Sequence, residues 1–167
     1  MLNFGKTLVV AAHPDDEVLG CGGLIAKLIN QGEQVKVVFV AEGSSCRYEA
    51  LNKQAQEEIN FRNQCSIEAL RSLGVSSHNF YNLPCGRLDK GSFIEIAKII
   101  EKEISDYKPT TVLTHSSNDV HNDHKIVCRA VVQATRPVGK IVKNLLSFEI
   151  LSSTEWNYTE TFKPNIF

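Results

Sequence analysis

The sequence predicts an α/β domain with a mainly parallel sheet, and three observations point to it. Two short apolar runs rich in valine, Thr7 to Ala12 and Val35 to Ala41, have the length and composition of strands buried on both faces. Longer segments with apolar residues at helical intervals lie between such runs, an alternation that calls for right-handed crossovers and helices on both faces of the sheet. The two most unusual polar clusters of the chain directly follow apolar runs, and ligands in open parallel sheets bind beyond the carboxyl ends of strands.

The elements follow in order. Thr7 to Ala12 is the first strand, and the polar run His13-Pro14-Asp15-Asp16-Glu17 follows it at once. From about Val18 to Gln31 the apolar residues Val18, Leu19, Leu24, Ile25, Leu28 and Ile29 recur with helical spacing, and Gly32 supplies the stop. Val35 to Ala41 is the second strand. Glu49 to Leu73 reads as a long helix ended by Gly74, and His78 to Leu83 as a short strand. Ser92 to Tyr107 reads as a helix with Ser92 as its N-cap. Thr110 to Thr114 is β-branched and strand-like. Lys125 to Thr135 is a further helix, and Leu145 to Ile150 a last strand. No internal repeat, low-complexity stretch or linker divides the 167 residues, so one domain over residues 1–167 is expected.

Composition narrows the function classes. With 43% hydrophobic and 22% charged residues the chain is of ordinary globular composition, and no segment is apolar over the ~18 residues of a membrane span. A formal net charge of −1, with no basic block, argues against nucleic acid as a partner. The five cysteines are odd in number and widely separated, with no C-x-x-C pair, which argues against a disulfide framework or a thiolate zinc site. A reducing cytoplasm fits best. The N-terminal MLNFGKTLVV has too short an apolar stretch for a signal peptide.

The first polar cluster places one imidazole and three carboxylates at a strand end, which costs energy unless positive charge sits there. A divalent cation meets that need. His13 and Asp16, three residues apart in a tight turn, can converge on one ion, while Asp15 points elsewhere and is free to act on a bound water. The plain alternative is a helix N-terminus whose acids favour the dipole. The second cluster is Asp119-Val120-His121-Asn122-Asp123-His124. It offers one ligand, a second histidine near the metal but off it, and an aspartate able to orient that second ring. Here the alternative is a solvated loop with two incidental histidines. A His₂Asp set leaves zinc an open position for water, as catalytic sites require, and ligand type alone also admits Fe²⁺ or another divalent metal.

VVAAHPDDEVLGCGG together with DVHNDH resembles the LmbE-like, or PIG-L, family of zinc-dependent N-acetylglucosaminyl deacetylases, whose signatures are AHPDDE near the N-terminus and H-x-D-H later. The segments RNQCSIEALRSLGV, SSTEWN and FKPNIF also resemble family members, so the similarity extends over essentially the whole chain. The resemblance implies a Rossmann-like three-layer α/β/α sandwich. It implies His13, Asp16 and His124 as metal ligands, Asp15 as general base, His121 as electrophile and acid, Asp123 as the partner orienting His121, and Arg62 as a substrate-binding group. The implied reaction is attack of a metal-activated water on the amide carbonyl of an N-acetylated amino sugar or glycoconjugate. The implied assembly is a homo-oligomer. Two departures stand out. Cys85 in NLPCGRLD occupies a place where many relatives carry an aspartate, and the chain is expected to be short at its C-terminus relative to the family. Three rivals follow: action on another amide of an amino-sugar conjugate, an inactive metal-binding relative, and a nucleotide binder. The third is disfavoured because GCGG after HPDDE is not G-x-G-x-x-G.

Single residues have plainer readings. Gly20, Gly22 and Gly23 suit close helix-to-strand packing, and Cys21 suits core packing. His115 suits a structural histidine hydrogen-bonded to the loop, and His78 a surface position.

Overall fold

The computed structural model describes residues 2–136 and 141–165. Five strands form one sheet: β1 (Thr7–Ala11), β2 (Val35–Ala41), β3 (Ser77–Leu83), β4 (Thr111–His115) and β5 (Asn144–Phe148). Their order is β3-β2-β1-β4-β5, and every neighbouring pair is parallel. Four helices link them: α1 (Asp16–Asn30), α2 (Lys53–Ser72), α3 (Phe93–Tyr107) and α4 (Asn122–Ala134).

Alternate residues of the central strands face opposite layers, as the two-residue period of a strand requires. Leu8, Val10, Val38 and Val40 pack with Ile96 and Ile100 of α3 and Val127 and Val131 of α4. Val9, Ala11, Val37 and Phe39 pack with Ile25 and Leu28 of α1 and Leu70 of α2. The result is the expected α/β/α sandwich. The sheet changes winding direction between β1 and β4, and this switch point opens a crevice at their carboxyl ends. Both polar clusters lie there.

Local differences from expectation have identifiable causes. Helix α4 starts at Asn122, three residues before the predicted start, because His121 serves as its N-cap and its Nδ1 accepts from the Asp123 backbone N–H. The end of the second cluster is therefore a helical first turn with fixed side-chain directions. Helix α1 is broken at Cys21, whose φ of −145° is not helical. Helix α2 starts at Lys53, four residues after the predicted start at Glu49, and its cap was not foreseen. Asn52 accepts from Ala55 N at the start of α2, while Ser92 stands at the N-cap of α3 without a side-chain bond. Of the three glycines after β1, only Gly20 meets the packing explanation: a Cβ there would lie 2.3 Å from the Phe148 ring of β5, whereas one on Gly23 would meet nothing. His78 is half-buried and edge-on to Phe80, not on the surface.

One buried charge ties β2 and β3 to α3. Glu103 Oε1 accepts from Asn79 Nδ2 and Tyr81 Oη, both at 2.6 Å, and Lys36 Nζ forms an ion pair with Oε2 at 2.7 Å, off the hydrogen-bonding direction. Burial opposes ionisation of Glu103, but Lys36 and Tyr81 outweigh it and hold the carboxyl below the usual range. A depressed folded-state pKa means that this stability is complete above the unfolded value and is lost as pH falls through the folded one. Glu103→Ala is expected to cost about 1–2 kcal/mol in urea unfolding at neutral pH, since it leaves a half-buried lysine and two polar groups without their shared partner. The difference from the parent should shrink on acidification.

Candidate metal centre

The HPDDE turn takes its shape from β1 and from the start of α1. His13 follows the strand end, and Asp16 opens the helix and turns back to accept from the His13 backbone N–H at 2.8 Å. Oδ2 of Asp16 then lies 3.4 Å from Nδ1 of His13 and 3.4 Å from Nε2 of His124, which the first turn of α4 brings across from β4. Tetrahedral ligands at ~2.0–2.1 Å from zinc stand roughly 3.3 Å apart, so both pairs have the spacing of donors to one ion. The donor nitrogens of His13, His121 and His124 also lie within 4.8 Å of one another.

Each of these two histidines is backed by its own carboxylate. Nδ1 of His124 donates to Asp119 Oδ2 at 3.0 Å, which leaves Nε2 facing Asp16. Nε2 of His13 donates to Asp123 Oδ2 at 3.0 Å, which leaves Nδ1 facing Asp16. Carboxylate–histidine pairs of this kind fix the tautomer and raise ligand basicity. Asp119 is itself held by Ser153 Oγ at 2.9 Å and Thr154 Oγ1 at 2.8 Å, which gives the SSTEWN segment its place in the site. The last two residues of FKPNIF lie outside the described residues.

The expected partnership of Asp123 with His121 is not what the carboxylate makes. Asp123 is directed to His13 and receives backbone N–H groups of Gly86 at 2.6 Å and Leu88 at 3.4 Å, so the loop after β3 locks it away from the His121 ring. His121 stacks on His124 with centroids 4.4 Å apart and spends Nδ1 on the α4 cap, so its proton sits on Nε2. Burial, with His124 and His13 nearby, lowers its pKa, and it stands as a neutral N–H donor instead of a charged acid.

Electrostatics test whether a cation suits the site. Burial opposes charge on His13 and His124, yet Asp123 and Asp16 beside His13, and Asp119 and Asp16 beside His124, push both imidazoles above their ordinary range. Burial likewise opposes ionisation of Asp16, and His124 and His13 hold it well below the carboxylate range. Three anionic carboxylates thus draw positive charge into a buried space. A divalent ion satisfies them without those protons, and the donor set fits one. His115 is fully buried, accepts from Ala12 N at 2.8 Å, and is pushed by burial down to about 3. Its Nε2 is occupied by that bond, so it supports His124, against which it stacks at 4.0 Å. This agrees with the structural reading of His115.

Asp15 stands apart from this donor cluster. Its φ of 134° is a conformation L residues rarely adopt, and its N–H is held by Glu17 Oε2 at 3.0 Å. Arg62 of α2 donates to Asp15 Oδ2 at 2.7 Å and to the Pro14 carbonyl at 2.9 Å. Arg62 therefore reaches the site but is engaged with the turn itself. Burial raises the Asp15 pKa against the opposing pull of Arg62. Gly43, at φ +78°, allows this approach, since a Cβ there would lie 2.8 Å from Arg62 Nε. A groove of about 490 Å³ opens on the Asp15 and Arg62 side, with Val18, Leu19 and Phe61 in its walls.

Sequence reading missed Asp119 as the partner of His124, although its spacing of five residues within DVHNDH was available as a signal. It also missed Glu17 and Gly43, which shape the turn from outside the donor cluster.

The chain matches characterised and uncharacterised proteins. The family profile described as PIG-L, GlcNAc-PI de-N-acetylase, matches residues 8–135. The uncharacterized deacetylase YaiS of Escherichia coli K12 is 31% identical over 96% of this chain and 79% of its own. The probable N-acetyl-alpha-D-glucosaminyl L-malate deacetylase 2 of Bacillus cereus is 29% identical over 80% of this chain, which spans 62% of that relative's length. Among solved structures, GalB, the 4-carboxy-2-hydroxymuconate hydratase of Pseudomonas putida KT2440, superposes with a TM-score of 0.65 at 26% identity over 77% of this chain and 55% of its own.

Proposed function

Because the chain belongs to the PIG-L (LmbE-like) family of de-N-acetylases, we propose that it is a zinc-dependent hydrolase that removes the acetyl group from the amide nitrogen of an N-acetylglucosamine-type amino sugar or its conjugate. The observation that carries this reading is Asp16 Oδ2 at 3.4 Å from the free nitrogens of two histidines, each oriented by a carboxylate of its own. The names of the relatives support the substrate class. The single five-stranded sheet supports one deacetylase domain, and five free thiols suit the reducing cytoplasm. No helix among the described residues is long and apolar enough to cross a membrane.

His13, Asp16 and His124 would hold the cation, which when bound would supply Lewis acidity and lower the pKa of a water toward ~7. Asp15 accepts the proton of the attacking water. Arg62 aims Asp15 and stands at the mouth of the groove to meet the sugar. The Nε2–H of His121 donates to the oxygen that becomes negative as the carbonyl turns tetrahedral. Asp15 returns its proton to the leaving nitrogen, giving free amino sugar and acetate. Asp123 and Asp119 act through His13 and His124 as positioning residues.

A second reading, addition of water to an activated carbon–carbon double bond, is favoured by the likeness to the hydratase. Both chemistries need an activated water at this switch point. Metal-stripped protein assayed with and without Zn²⁺ on a panel of N-acetylglucosamine derivatives separates them. Zinc-restored acetate release is the expected result. No acetate from any derivative, with water addition to an unsaturated carboxylate, would transfer the site to the second reading.

A further inference from the structure

We propose that Cys46 and Cys85 form a reversible disulfide, a thiol modification site behind the metal centre whose formation weakens metal binding. The thiols are 39 residues apart in sequence, yet Sγ of Cys85 lies 3.4 Å from Sγ of Cys46. A single carboxylate sets this approach. Glu42, at the end of β2, accepts from Ser44 N at 2.6 Å and Ser45 N at 2.9 Å on the Cys46 side, from the Ser45 hydroxyl, and from Cys85 N at 2.8 Å on the other. The two loops already approach closely, since a Cβ on Gly86 would stand 3.0 Å from Cβ of Cys46. Closing an S–S bond of ~2.05 Å needs roughly 1.4 Å of further approach.

Exposure differs across the pair in the useful sense. Cys46 is exposed on a single 3-10 turn, Ser45–Arg47, and Cys85 is buried. Hydrogen peroxide therefore meets Cys46 first. The Cys46 sulfur attacks one peroxide oxygen, giving a sulfenic acid and water. Cys85 sulfur then displaces the sulfenic oxygen as a second water, so two thiols lose two electrons and two protons while one peroxide becomes two waters. Cys85 resolves the sulfenic acid before further oxidation.

The connection to the metal centre runs through one short chain of contacts. The sulfur of Cys85 groups with donor atoms of His13 and Asp123 within 4.8 Å. The next residue, Gly86, donates its N–H to Asp123, which in turn orients His13. Drawing Cys85 toward Cys46 removes its sulfur from His13 and shifts the Gly86 donor. Changes to such outer partners typically cost ~10–100-fold in metal affinity.

The second half of the inference rests on the metal-site reading above, and the experiment separates the two. The full chain is treated with hydrogen peroxide at pH 8.5, then mapped without reduction by mass spectrometry, and its zinc affinity is measured by competition with a chelating dye before and after. The expected result is a 2-Da loss, a Cys46–Cys85 peptide absent in Cys46→Ser, and about tenfold weaker zinc binding, all reversed by dithiothreitol. Oxidation of Cys46 without a cross-link, or pairing with the exposed Cys65, overturns the site. A Cys46–Cys85 bond that leaves zinc affinity unchanged overturns the control. Zinc bound in neither state overturns the metal reading and the control with it, whatever the peptide map shows.

Discussion

Asp15→Ala is expected to lower zinc-dependent acetate release by about 10²–10⁴-fold, the range that a positioned general base contributes, while leaving zinc affinity close to that of the parent. The split follows from geometry. The Asp15 carboxylate is turned to Arg62 at 2.7 Å, and the close donor spacings in the centre are made by Asp16 and the histidines. Asp15→Asn is the stricter test, because it keeps an oxygen for Arg62 and removes only the ability to take a proton. The backbone adds a second readout. Holding φ at 134° costs an L residue about 1–3 kcal/mol, so Asp15→Gly should raise stability toward thermal unfolding even as turnover is lost. Normal turnover in Asp15→Asn would sink the assignment. A parallel loss of zinc would instead make Asp15 part of the metal's own shell.

The sheet and its helices were legible because the core strands are apolar on both faces: β2 matches its predicted span residue for residue, and the other strands differ by one or two residues at their ends. Period and composition suffice when burial is that complete. The start of α4 was not legible in the same way, since a histidine cap is a tertiary choice and His121 gives no propensity signal. Asp123 shows where motif reading stops. Its position two residues from His121 suggested a local pair, but the N–H groups of Gly86 and Leu88, over thirty residues earlier, decide where its carboxylate turns. Cys46 and Cys85 are both free thiols, as the wide spacing predicts, but spacing said nothing of their proximity: the loops that follow β2 and β3 bring their sulfurs to 3.4 Å because those strands are neighbours.

Asp16→Asn is expected to abolish zinc binding at concentrations that saturate the parent, a loss larger than the ~10–100-fold assigned to outer partners. Asn keeps the volume and one acceptor oxygen, so the His13 backbone N–H retains its bond and the turn should persist. What disappears is the charge shared between His13 and His124. Without it two imidazoles face a buried space with weaker cause to admit a dication, and the protons they carry in the metal-free state are bound less tightly. Histidine titration by NMR in metal-free protein should therefore show both rings losing protons at lower pH in Asp16→Asn, since Asp16 helps to raise both. Asp123→Asn provides the scale, because it leaves all three proposed ligands and removes only the charge behind His13. If the two variants weaken zinc equally, Asp16 is no more than a supporting group and the ligand set must be redrawn around His13, His121 and His124, whose donor atoms also converge.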